Sequence, residues 1–151
     1  MMSKLKRILS TFVRLSLRMK ILVIVSFAVL GIMRLLMILL PFRRLTALMG
    51  KAHQESPYSL DPASQILAQE VGFAINIVSN HTPWKSECLV KALAAQFILK
   101  VLNISSTLYL GVSKDDSNHL TAHAWVRSGN QIITGAFEYE DQFKCVDFFA
   151  S

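Results

Sequence analysis

Residues 82–102 read TPWKSECLVKALAAQFILKVL, and the reading of this stretch decides the fold. Thr82-Pro83 offers a helix start, an N-cap oxygen followed by a proline whose missing N–H costs nothing there. From Leu89 to Leu102 the residues are apolar nearly all round, which predicts a helix at the centre of a domain rather than on its surface. After Asn103 the pattern changes to strand. TLYLGV (107–112) is rich in β-formers, and residues 113–119 form a polar loop. In LTAHAWVR (120–127), Leu120, Ala122, Ala124 and Val126 alternate with Thr121, His123, Trp125 and Arg127. Ser128-Gly129-Asn130 predicts a tight turn into a return strand over 131–136. A central helix followed by an antiparallel meander is an α+β layout.

Upstream, Asp61-Pro62 opens a helix expected to run through Ser79 with Ile66, Phe73 and Ile77 on one face. Residues 51–60 (KAHQESPYSL) are the one linker-like stretch. Residues 43–49 read as further helical turns, stopped by Gly50. Charge divides the 151 residues in two: residues 1–54 carry ten Lys or Arg and no acid, and residues 55–151 carry six against ten acids. The expected organisation is therefore a basic, apolar helical region over 1–54 and a mildly acidic globular domain over 55–151. Apolar residues make up 52% of the chain and charged residues 17%, which excludes a disordered chain. Two cysteines exclude a disulfide scaffold.

Residues 21–40 (ILVIVSFAVLGIMRLLMILL) have the length of a membrane span but contain Arg34, which costs roughly 2.5–3.5 kcal/mol near the bilayer centre. Basic residues flank both ends, and no small-residue cleavage site follows. A helix buried in the fold or lying on a membrane surface is favoured over a span, with a transmembrane segment at about 21–40 as the alternative. Lys4, Arg7, Arg14 and Arg18 fall on one stripe, a surface for anionic lipid or an acidic partner.

Cys88 lies near the start of the central helix, where unpaired N–H groups and the helix dipole favour a thiolate. His123 lies mid-strand between two alanines. A thiol nucleophile and its general base need that layout of helix and strand. The alternatives at this level are an inert buried thiol and a packed histidine. Cys145 reads as a packed hydrophobe, and Trp84 and Trp125 as residues framing a substrate cleft, with plain core packing as the alternative for both. No metal-ligand spacing or cofactor motif is present, and the basic residues accompany an apolar helix rather than a nucleic-acid surface.

Together, WKSECL (84–89), Ala92-Leu93-Ala94, Leu110-Gly111-Val112, Ala122-His123-Ala124-Trp125-Val126, Gly135 and the upstream Leu40-Pro41-Phe42-Arg43-Arg44-Leu45 resemble the stand-alone leader peptidases of lasso-peptide biosynthesis. These are similar to the C-terminal domain of the microcin-processing protein, within the transglutaminase-like, papain-related cysteine protease superfamily. The resemblance implies a transglutaminase-like core and a cytoplasmic peptidase, with no cofactor, that cuts the leader from a ribosomally made precursor. It implies Cys88 as nucleophile and His123 as base. Implied partners are the precursor leader, a separate leader-recognition protein and an ATP-dependent cyclase; the inner membrane surface is a further expected contact, read from the basic stripe and apolar run of the N-terminal region rather than from the resemblance. The family can place an Asp about a dozen residues after the histidine, where this chain has Gly135. Glu138 is the nominal substitute, and a backbone carbonyl or an Asn side chain is the alternative. Two other readings compete: a non-catalytic peptide-binding scaffold, and an acyl transferase using the same pair.

Overall fold

The computed structural model describes residues 15–114, 119–136 and 143–151. Among the described residues are four helices, α1 (Leu17–Leu39), α2 (Phe42–Met49), α3 (Pro62–Ser79) and α4 (Cys88–Val101); α2, α3 and α4 pack on one face of a five-stranded antiparallel sheet, and α1 packs on the other helices. The strands are β1 (Lys51–Ala52), β2 (Thr107–Lys114), β3 (Leu120–Ser128), β4 (Gln131–Thr134) and β5 (Lys144–Ala150), in the order β1-β5-β2-β3-β4. The α+β expectation holds. So does the central helix: Val90, Ala92, Ala94, Ala95 and Leu99 of α4 are all fully buried, between α1 and α3 on one side and the sheet on the other.

The β2–β3 register pairs Tyr109 with Trp125 and Gly111 with His123. Leu108, Ala124, Val126 and Phe149 point into the helical layer and are buried. The opposite face carries His123, Trp125, Tyr109 and Phe148, linked by ring contacts of 5.4–6.1 Å. Residues 53–60 cross this outer face, so the expected linker is a strap. Arg127, 6% exposed, holds it: the guanidinium donates to the carbonyls of Ser56 (2.9 Å) and Gly129 (2.6 Å) and lies 3.8 Å from the Tyr58 ring centroid.

Several expectations are corrected. Leu22, Leu30, Met33, Leu45 and Met49 share one core with Val71, Leu99 and Phe149, so the helices before residue 54 pack directly on the elements after it. Residues 51–52 also pair with β5. On α3, Ile66, Phe73 and Ile77 do share one face, which is the outward one, and the buried face is Ala68, Val71, Gly72, Ala74, Ile75 and Val78. The small residues let α3 approach its neighbours closely. A Cβ on Gly72 would lie 2.4 Å from the Ile133 carbonyl oxygen, so this contact between α3 and β4 admits only glycine.

Cys145 is exposed rather than packed. A bulge in β5 sets Gly111 opposite Cys145 and Leu110 opposite Asp147, which turns Cys145 to the outer face. Of the expected basic stripe, Lys4, Arg7 and Arg14 lie outside the described residues. Arg18 is committed within the fold, to Glu70 of α3 at 2.6 Å.

Candidate active site

The helix bearing the cysteine begins later than its sequence suggests. Thr82-Pro83 opens a loop, not a turn of helix, because the Thr82 hydroxyl bonds within that loop: it contacts the carbonyl oxygens of Ser79 (3.2 Å) and Trp84 (3.0 Å) and Ser86 Oγ (2.8 Å). The helix starts at Cys88, with Glu87 as an N-cap that makes no side-chain hydrogen bond. Cys88 therefore occupies the first helical position, where the backbone N–H groups of the first turn have no intrahelical acceptor. Such a turn binds an anion well, whether a thiolate or an oxyanion.

Cys88 and His123 line one cleft of about 610 Å³. It lies at the sheet edge where β4 stops: β4 pairs with β3 only from Val126 to Ser128, and Thr121–His123 continue beyond it. Asn76 enters from α3, Lys91 from the next turn of α4, and Thr134 and Gly135 from the end of β4.

His123 is 8% exposed and held on two sides. Its ring stacks on Trp125 with centroids 5.9 Å apart and meets Phe143 at 5.2 Å. Nε2 donates to the carbonyl oxygen of Gly135 at 2.8 Å. A carbonyl accepts only, so the proton of the neutral ring is on Nε2 and the basic nitrogen is Nδ1. Gly135 has φ +80°, in the left-handed region, and a Cβ there would lie 2.5 Å from the Ala124 carbonyl oxygen and 2.9 Å from Trp125 Cα. Both the conformation and the close approach demand glycine.

Glu138 lies outside the described residues. The described orienter of His123 is thus the backbone at Gly135, the position where the resembled family can carry its acid. The resemblance pointed to that position, but a residue type cannot announce a backbone carbonyl. Trp84 stands away from the cleft wall: it packs on Phe27 of α1 at 5.0 Å and against Gly31. Trp125 acts through the His123 ring rather than as a wall of the cleft. Thr134 and Asn76, which sequence reasoning missed, both line it. Thr134 Oγ1 is buried with no hydrogen-bond partner among the described residues.

His81 and His119 take no part in lining the cleft. His81 Nδ1 bonds the Ile77 carbonyl at 2.8 Å, at the end of α3, and His119 is exposed. No cluster of three metal-ligating side chains occurs among the described residues.

Comparison with curated proteins and with solved structures gives no match. The family model of the transglutaminase-like superfamily matches residues 36–146, nearly three quarters of the chain, including α4, β2, β3 and β4. A helix-borne cysteine and a strand-borne histidine lining one cleft accord with the chemistry of that superfamily, cysteine-based peptidase or acyl-transfer reactions, and this chain belongs to it.

Proposed function

We propose that the protein is a cytoplasmic cysteine peptidase that removes the leader from a ribosomally synthesised lasso-peptide precursor. The observation that carries this reading is the common cleft of Cys88 and His123, with the His123 tautomer fixed by the Gly135 carbonyl. In the proposed reaction the Cys88 thiol loses its proton to Nδ1 of His123, and Sγ attacks the scissile carbonyl carbon. The Cys88 backbone N–H donates to the oxyanion that forms. Collapse of the tetrahedral intermediate breaks the C–N bond, and His123 gives its proton to the leaving amine. Water, deprotonated by His123, then releases the leader acid and restores the thiol. Throughout, Nε2–H stays on Gly135, so the ring keeps its orientation while Nδ1 exchanges protons.

The substrate end of the reading rests on the motif resemblance. In this reading a separate recognition protein delivers the precursor. An ATP-dependent cyclase would consume the released core peptide. The test is reconstitution with purified precursor, with and without the recognition protein, read by mass spectrometry of leader and core. Cleavage at one bond, accelerated by the recognition protein and absent in Cys88→Ala, is the expected result. Equal processing by Cys88→Ala would identify a scaffold instead.

A further inference from the structure

The outward face of α1 is a continuous aliphatic stripe. Leu17, Ile21, Ile24, Ile32, Leu35 and Ile38 are each more than half exposed, at helical spacing, opposite the buried stripe of Leu22, Ser26, Val29, Leu30 and Met33. Over 23 residues this surface runs about 34 Å. Beside it, α3 exposes a second stripe, Ile66, Phe73 and Ile77. Glu70 flanks that stripe on the side of α1, where it binds Arg18, and Asn76 flanks it on the side of the cleft. The apolar surface thus reaches from α1 across α3 to the rim of the candidate active site.

We propose that this surface docks in the plane of an anionic lipid bilayer. Charge selects lipid over a protein partner. Residues 1–54 contain ten cations and no acid, Lys20 and Arg34 border the α1 stripe, and Glu70, the acid between the two stripes, is neutralised by Arg18. Protein interfaces concentrate aromatic and arginine anchors at their centres, whereas the α1 stripe is aliphatic and Lys20 and Arg34 lie at its margins, the arrangement of an interfacial helix. A second copy of the chain would bring like charges together. A span is disfavoured because α1 would have to withdraw Leu30 and Met33 from the core and break the Arg18–Glu70 pair. Docking in this way sets the cleft rim at the membrane surface. The inference stands independently of the cleavage chemistry.

The test is flotation of the full-length protein with vesicles of phosphatidylcholine, alone or mixed two to one with phosphatidylglycerol. Strong flotation with the mixed vesicles only, weakened by salt and fully reversed by alkaline carbonate, is expected. Ile24→Glu combined with Leu35→Glu changes two outward side chains and should lower the partition coefficient at least tenfold while the far-UV spectrum stays that of the parent. Three outcomes would overturn the proposal: no flotation with either vesicle, unchanged flotation of the folded double variant, or retention in carbonate, which would mark a span. Self-association lost in the same variant without vesicle binding would assign the face to a second copy and also overturn it.

Discussion

The Nε2 proton of His123 is donated to the backbone carbonyl oxygen of Gly135, 2.8 Å away. A carbonyl here fixes the ring without adding a charge, and it can be presented only because residue 135 takes φ +80° against the backbone of Ala124 and Trp125. Gly135→Ala should therefore move the carbonyl and misorient the imidazole. We expect kcat to fall at least about tenfold with a smaller change in KM, measured on the folded fraction, since only interactions strengthened in the transition state act on kcat. An unchanged kcat in the folded variant would remove Gly135 from the positioning of His123.

The histidines separate by location. His123→Ala should lower cleavage by roughly 10²–10⁴-fold, the usual contribution of a positioned acid–base group. His81→Ala, at the end of α3, and His119→Ala should stay within about threefold of the parent, a difference of less than 1 kcal/mol. Comparable losses in all three variants would indicate a folding defect or a metal site.

Much of this architecture is legible in the sequence, and the exceptions have physical causes. The α3 boundaries follow from Asp61-Pro62, and Asp61 accepts the capping bond from the Ser64 N–H at 3.0 Å. Strand alternation places Ala124 and Val126 inward and His123 and Trp125 outward. The start of α4 is misleading because Thr82-Pro83 has the composition of a cap while the Thr82 hydroxyl is bound within a loop. The inner face of α3 is not marked by large apolar residues alone, because close helix packing selects small residues at Ala68, Gly72 and Ala74. Cys145 is misread because a bulge shifts the β5 register, and no residue pattern marks it.

Exposure does not make Cys145 reactive at neutral pH. Partial desolvation of the thiol raises its pKa above the ordinary 9.0, only partly offset by the Asp147 backbone. A raised pKa keeps the protonated, unreactive form to higher pH. In Cys88→Ala, alkylation by iodoacetamide should be slow at pH 7 and still rising above pH 9. A rate that levels off below pH 9 would contradict this.

The strap over the outer face of the sheet should give the fold an alkaline limit. Burial, and then the hydrogen bond to Glu55, push the Tyr109 hydroxyl up to about 12, against 10.0 ordinarily. Between these values the folded state holds a proton that the unfolded chain releases. This contribution to stability is complete below pH 10 and is lost as pH rises toward 12. Tyr109→Phe should flatten the stability profile over that window, measured by urea unfolding. An identical slope in both proteins would show that Tyr109 does not titrate with unfolding.

The central claim is that Cys88 and His123 act on one another across a shared cleft, and electrophile capture tests it most directly. A leader peptide ending in a thiol-reactive electrophile is incubated with the protein at pH 7, and the adduct is located by peptide mapping. A single adduct on Cys88, formed at least about tenfold more slowly in His123→Ala, is the predicted result. An adduct on Cys145, or a Cys88 adduct formed at the same rate without His123, would contradict it.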